Sequence, residues 1–207
     1  MSTATELAAG LLWLATVAMM IVKAPHSVMT FYRVQAFADA LLTALMAVRD
    51  HLPMLWVFVG LAVAVRIIII PEIVSRGLNT PRDYSAKAPL GMGALVLYAL
   101  LLTAGGMLVG RIGPDPILLG LIFAAMFVTF VHLSARYEVW SMLWALLSLD
   151  TVVDAGLSVF AQTMPEGTAL VIYAMSLSLA IVLAFVAQRV QHLKKSLDVR
   201  ELEELTG

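Results

Sequence analysis

The chain has no cysteine. That excludes disulfides, thiolate zinc sites and cysteine-held iron–sulfur clusters within it. Charge is scarce as well. Asp, Glu, Lys and Arg make up 13% of the 207 residues, about half the usual ~25%. A soluble domain could not clothe its surface with so few charges, so the composition excludes a cytosolic globular enzyme, a nucleic-acid binder and a disordered protein. The histidines number four and are scattered (His26, His51, His132, His192). Only His132 stands near a long apolar run, so the pair of facing histidines that a haem needs is missing. No phosphate-binding loop, nucleophile triad or metal motif is present, and the chain is read as carrying no cofactor and no covalent chemistry of its own.

What is abundant is apolar surface. Hydrophobic residues are 61% of the chain and its mean hydropathy is +0.95, which places it in the polytopic membrane class. A helix needs ~20 mostly apolar residues to cross a bilayer. Seven such stretches are predicted, at roughly 5–22, 30–48, 54–75, 89–110, 116–133, 139–162 and 167–188. The fold class is therefore all-α with about seven transmembrane helices. A transmembrane domain over 1–188 is followed by a short tail over 189–207. The breaks carry loop chemistry: Lys23-Ala24-Pro25-His26, Arg49 to Pro53, Asn79 to Asp83, Arg111 to Asp115, and Pro165-Glu166-Gly167. Such short breaks predict that consecutive helices pack as antiparallel neighbours. The first span lacks the basic flank of a signal peptide.

Basic residues set the orientation. With the N-terminus outside, the inner segments hold Lys23, Arg33, Arg76, Arg82, Lys87, Arg136, Arg189, Lys194, Lys195 and Arg200. The outer loops hold only Arg49 and Arg111. This bias predicts N-out and C-in. In the tail, Leu197, Leu202 and Leu205 suit either an amphipathic docking helix or a solvated extension of the last span.

The informative residues are charges at membrane depth, where an Arg, Lys or Asp costs ~2.5–3.5 kcal/mol on insertion scales. Asp39, Arg66 and Asp150 each fall near the middle of a predicted span. Asp154 follows Asp150 by one turn, about 6 Å along the axis, and shares its helix face. Two carboxylates so placed do not both stay ionised easily, which poises one to hold a proton. Arg66 keeps its charge when buried. Glu72 follows Arg66 by about 9 Å, just past Pro71, whose ring frees a backbone carbonyl. If the helices pack together, these charges form a ladder across the membrane; the sequence equally allows Glu72 to lie at the head-group level and Arg66 to pair with an acid of a neighbouring subunit. Gln35, Asp39 and Thr43, each four apart, add one polar stripe. The bland reading of Arg66 with one aspartate is an ion pair that fixes helix register. Gly105, Gly106 and Gly110, with Gly91 and Gly93, mark the fourth span as one that permits close helix approach.

Four stretches together resemble a known family. Thr30-Phe31-Tyr32-Arg33-Val34-Gln35-Ala36 is similar to a Gly-Phe-Tyr-x-x-Gln-Ser segment, and Val65-Arg66-Ile67-Ile68-Ile69-Ile70-Pro71 to a Thr-Lys-Val-Leu-Leu-Val-Pro segment. Ser148-Leu149-Asp150 falls where that family has Met-Glu, and Ser196-Leu197-Asp198-Val199 is similar to a Thr-Leu-Asp-Val ending. The family is hydrogenase-4 component E, membrane subunits of energy-converting hydrogenase and formate hydrogenlyase complexes and relatives of the K-type subunit of complex I. The resemblance implies a non-catalytic subunit in a bacterial or archaeal inner membrane. Its partners would be antiporter-like subunits and a peripheral redox module, and its buried charges would belong to a proton-transfer axis. Arg66 stands where the family has Lys, and Asp150 where it has Glu. Arg66 is then at most a fixed charge, and Asp150 reaches one methylene less far. Asp154 replaces a His and Asp39 an apolar residue. The competing readings are a stand-alone ion or solute transporter and a purely structural anchor.

Overall fold

The computed structural model describes residues 2–77, 91–134, 138–160 and 167–194. Every element among them is helical: α1 (Ser2–Ile21), α2 (Pro25–Arg49), α3, α4 (Met92–Gly110), α5 (Pro116–Ser134), α6 (Val139–Val159) and α7 (Thr168–Lys194). Helix α3 is continuous but changes pitch, running α-helical over Met54–Leu61, π-helical over Ala62–Ile69 and α-helical again over Ile70–Gly77. Among the described residues, seven helices are long and apolar enough to cross a membrane, the architecture of a multi-pass membrane protein. Their limits agree with the sequence reading to within a few residues, except that α2 begins earlier, at Pro25. Proline is favoured there because the first turn has no partner for its amide. The expected break at Asn79 to Asp83, Pro165 and Glu166, and the tail from 195 onward with its spaced leucines, lie outside the described residues. Helix α7 carries the chain to Lys194, past the expected end of the last span.

The helices pack in two layers of three. One layer is α1, α2 and α3 in order; the other is α5, α6 and α7. Each helix lies against its counterpart: α1 on α5, α2 on α6, α3 on α7. Helix α4 lies outside, on α5 and α1. The expectation that consecutive helices are neighbours therefore fails between α3 and α4. Helix α3 is flanked by α2 and α7, and α4 by α5 and α1.

Small residues set the spacing. On α4, a methyl group added at Gly106 would collide with the backbone of Ala124, and one at Gly110 with the backbone of Gly120. This seam, rather than the whole run of glycines, explains the α4–α5 contact. Gly91 and Gly93 have nothing within 4 Å of such a methyl. The α2–α3 turn closes through His51 at φ 54, and Arg49 bonds Asp50 at 2.9 Å and reaches Asp115 at 3.6 Å. That ties the α2–α3 turn to the α4–α5 turn at the same end of the bundle.

Candidate functional site

Helices α2, α3, α6 and α7 enclose one buried polar cluster. Arg66, on the π-helical stretch of α3, is fully buried. The cause of the wide turn lies five residues on. Pro71 has no amide hydrogen, and its ring would strike the carbonyl of Ile67 in a regular α-helix. A wider pitch relieves that clash, and the amide of Ile70 bonds back to Val65. π-Helical segments inside α-helices are rare and are frequent at functional positions.

The guanidinium is used at both terminal nitrogens. Nη1 donates to Asp39 Oδ2 at 2.9 Å and to Asp154 Oδ2 at 2.6 Å. Nη2 donates to Asp150 Oδ2 at 3.0 Å. Asp150 and Asp154 thus do not pair with each other; they straddle Arg66, one on each nitrogen. The α7 helix completes the shell. Tyr173 donates its hydroxyl to Asp154 Oδ2 at 2.7 Å and lays its ring under the guanidinium, with Arg66 Cζ 4.7 Å from the ring centre. Ser176 donates to Asp150 Oδ2 at 2.7 Å. Charge-assisted bonds of this length are about twice as strong as neutral ones.

Charge does not balance in this cluster. Three carboxylates face one guanidinium, so full ionisation would leave two negative charges buried in an apolar bundle. Each uncompensated ion there costs several kcal/mol. Three buried atoms also have no hydrogen-bond partner: Asp39 Oδ1, Asp154 Oδ1 and Arg66 Nε. The two open carboxylate oxygens are places a proton can occupy without displacing any bond to Arg66. Asp150 differs from its neighbours. Its side chain is 24% exposed, against 0% for Asp39 and 2% for Asp154.

The polar region extends one turn along α2. Gln35 Nε2 donates to Thr16 on α1 and to Ser148 on α6, each at 2.8 Å. Its Oε1 is buried without a partner. Gln35, Asp39 and Thr43 are all buried, as their spacing on one face requires. The stripe predicted on α2 therefore exists and points inward.

Glu72 does not join the cluster. It is exposed and pairs with Arg76 at 2.7 Å, one turn away on the same helix. The six residues that separate it from Arg66 carry it out of the enclosed region, so the expected ladder stops at Arg66. His132, in the last turn of α5, is buried and 3.3 Å from Ser141 Oγ, a link between α5 and α6. Four members of the site were not singled out from sequence: Tyr173, Ser176, Thr16 and Ser148. Hydroxyl side chains in apolar helices commonly bond their own backbone, as Ser176 also does to Ile172 at 3.1 Å. Their type alone gave no signal. The spacing of Tyr173 and Ser176, three apart on one face, was the available clue. Comparison with protein-family models, with curated proteins and with solved structures yields no match to this chain.

Proposed function

We propose that this chain is a membrane subunit of a redox-driven, ion-translocating complex and handles protons at the Arg66 cluster. In this reading the bundle sits N-out and C-in in a bacterial or archaeal inner membrane. One observation carries it: two buried aspartates and a third, partly exposed one share a single arginine, and the two buried ones keep an oxygen open. Arg66 is a fixed cation that never gives up its proton. It holds the three carboxyl groups close enough for charge on one to disfavour charge on the next. A proton gained at Asp150, the accessible member, is passed on to the open Oδ1 of Asp39 or Asp154, whose Oδ2 bonds to Nη1 are kept. The Gln35 relay to Thr16 and Ser148 prolongs this polar region toward the α1–α5 side of the bundle.

The partly exposed flank of Asp150 supports a subunit over a lone transporter. A carboxylate at that depth is costly against lipid, so a neighbouring polypeptide is needed to cover it. The resemblance of the segments around Arg66 and Asp150 to hydrogenase-4 component E supports antiporter-like neighbours and a peripheral redox module. An anchoring role is favoured by a different observation, the complete use of both Arg66 Nη atoms by acceptors. The two readings separate in one experiment. The complex is purified in mild detergent with Asp150→Asn and placed in liposomes, and redox turnover and proton uptake are both measured. Turnover without pumping supports the coupling role. Unchanged pumping per turnover makes the cluster structural. Purification of the chain alone, with no partner, removes the subunit reading.

A further inference from the structure

A second site lies at one end of the bundle, away from the aspartates. There α2 begins and α3 ends, leaving a groove of roughly 440 Å³ lined by Arg33, Ile67, Ile68, Glu72 and Arg76. The cluster fixes its depth. Arg66 and Asp39 are bonded, so they share a level. Arg76 stands ten residues past Arg66, about 15 Å along the axis, which is half of a ~30 Å hydrocarbon core. Arg33 precedes Asp39 by six residues, about 9 Å, and its long side chain lets the charge reach further outward. If the cluster lies at mid-depth, both guanidinium groups lie at the level of lipid head groups. Ile67 and Ile68 line the deeper wall, and Ile68 is largely exposed, so the groove opens sideways toward acyl chains.

The groove carries net positive charge, with two arginines and one glutamate. Glu72 is already paired with Arg76. Arg33 is exposed and makes no ion pair among the described residues. A guanidinium pair above an apolar wall matches one ligand shape, a phosphodiester attached to hydrocarbon. We propose that this groove binds the head group of an anionic phospholipid, with Arg33 and Arg76 on the phosphate and one acyl chain along Ile67 and Ile68. Glu72 acts against the ligand by competing for Arg76. The site rests on the bundle spanning a bilayer and not on proton transfer.

The test is native mass spectrometry of the purified full chain, with any attached subunits, titrated with phosphatidylglycerol and phosphatidylcholine of matched acyl chains. Preferential retention of phosphatidylglycerol is expected. Arg33→Gln and Arg76→Gln should each weaken it about fivefold, from the worth of one arginine at a charged surface. Glu72→Gln should strengthen it, a gain that no folding defect produces. Arg111→Gln, on the exposed α4–α5 turn, should change nothing. Equal retention of both lipids, or an effect of Arg111→Gln matching that of Arg33→Gln, overturns the proposal. Displacement by inorganic phosphate at the same concentration also overturns it, because the site would then read phosphate without the lipid.

Discussion

Removing the guanidinium is the sharpest perturbation of this fold. Arg66→Gln deletes the cation that Asp39, Asp154 and Asp150 share at 2.9, 2.6 and 3.0 Å. Breaking one buried pair by removing a partner costs ~3–5 kcal/mol. The loss here does not triple, because the stranded carboxylates take up protons sooner than remain charged. A destabilisation of ~3–5 kcal/mol is expected, which for a chain of this size is a fall of about 6–20 °C in Tm. Arg66→Lys keeps the charge but not the two-nitrogen fork. A compact ammonium cannot occupy both Nη positions, so an intermediate loss of about 1–3 kcal/mol is expected. The decisive variant removes all the charge: Arg66→Met with Asp39→Asn, Asp150→Asn and Asp154→Asn should be more stable than Arg66→Gln alone, because no ion is left unpaired. Thermal unfolding of the detergent-purified protein reads all three. A loss below about 1 kcal/mol for Arg66→Gln, or simple additivity with Asp154→Asn, would refute the reasoning.

Smaller changes test the shell and the seam. Tyr173→Phe keeps the ring under Arg66 and removes the bond to Asp154; a loss of about 1.5–3 kcal/mol is expected from thermal unfolding, since the acceptor is charged. Gln35→Leu strips two 2.8 Å bonds and should cost about 1–3 kcal/mol through the hydroxyls left behind on Thr16 and Ser148. Gly106→Ala forces a methyl onto the Ala124 backbone and should cost about 1–3 kcal/mol. Gly10→Ala has nothing within 4 Å to meet and should stabilise α1 by about 0.5–1 kcal/mol. The opposite signs of the two glycine variants distinguish tight packing from helix propensity.

The spans were legible because a bilayer demands long apolar runs, and such runs survive any tertiary arrangement. That Asp39, Arg66, Asp150 and Asp154 sit at depth was legible for the same reason, but depth along a span does not say whether Arg66 meets an acid of its own chain or of a neighbour, so their convergence was not. Whether Glu72 joined the ladder or lay at the head-group level stayed open, because distance along the chain says nothing about exposure. Its neighbour Arg76, four residues on, offered an ordinary surface pair. The separation of α3 from α4 was hidden because loop length limits reach but does not choose a neighbour. The π-helical turn had a partial signal in Pro71, which predicts a disturbed carbonyl but not whether the helix kinks or widens. Tyr173 and Ser176 were hidden by their ordinariness; only the fold shows that α7 supplies the hydroxyls that hold Asp150 and Asp154.

The central claim is that the Arg66 cluster holds a transferable proton at neutral pH. Infrared difference spectroscopy of the purified protein measures this directly, through the carbonyl stretch of a protonated carboxylic acid. Wild type should show such a band, downshifted in deuterium oxide as the proton exchanges, and shifted or lost in Asp39→Asn or Asp154→Asn. A spectrum with only carboxylate bands, unchanged by these substitutions, would mean that all three aspartates are ionised around Arg66. The cluster would then be a structural ion network, and the proton-handling account would be wrong.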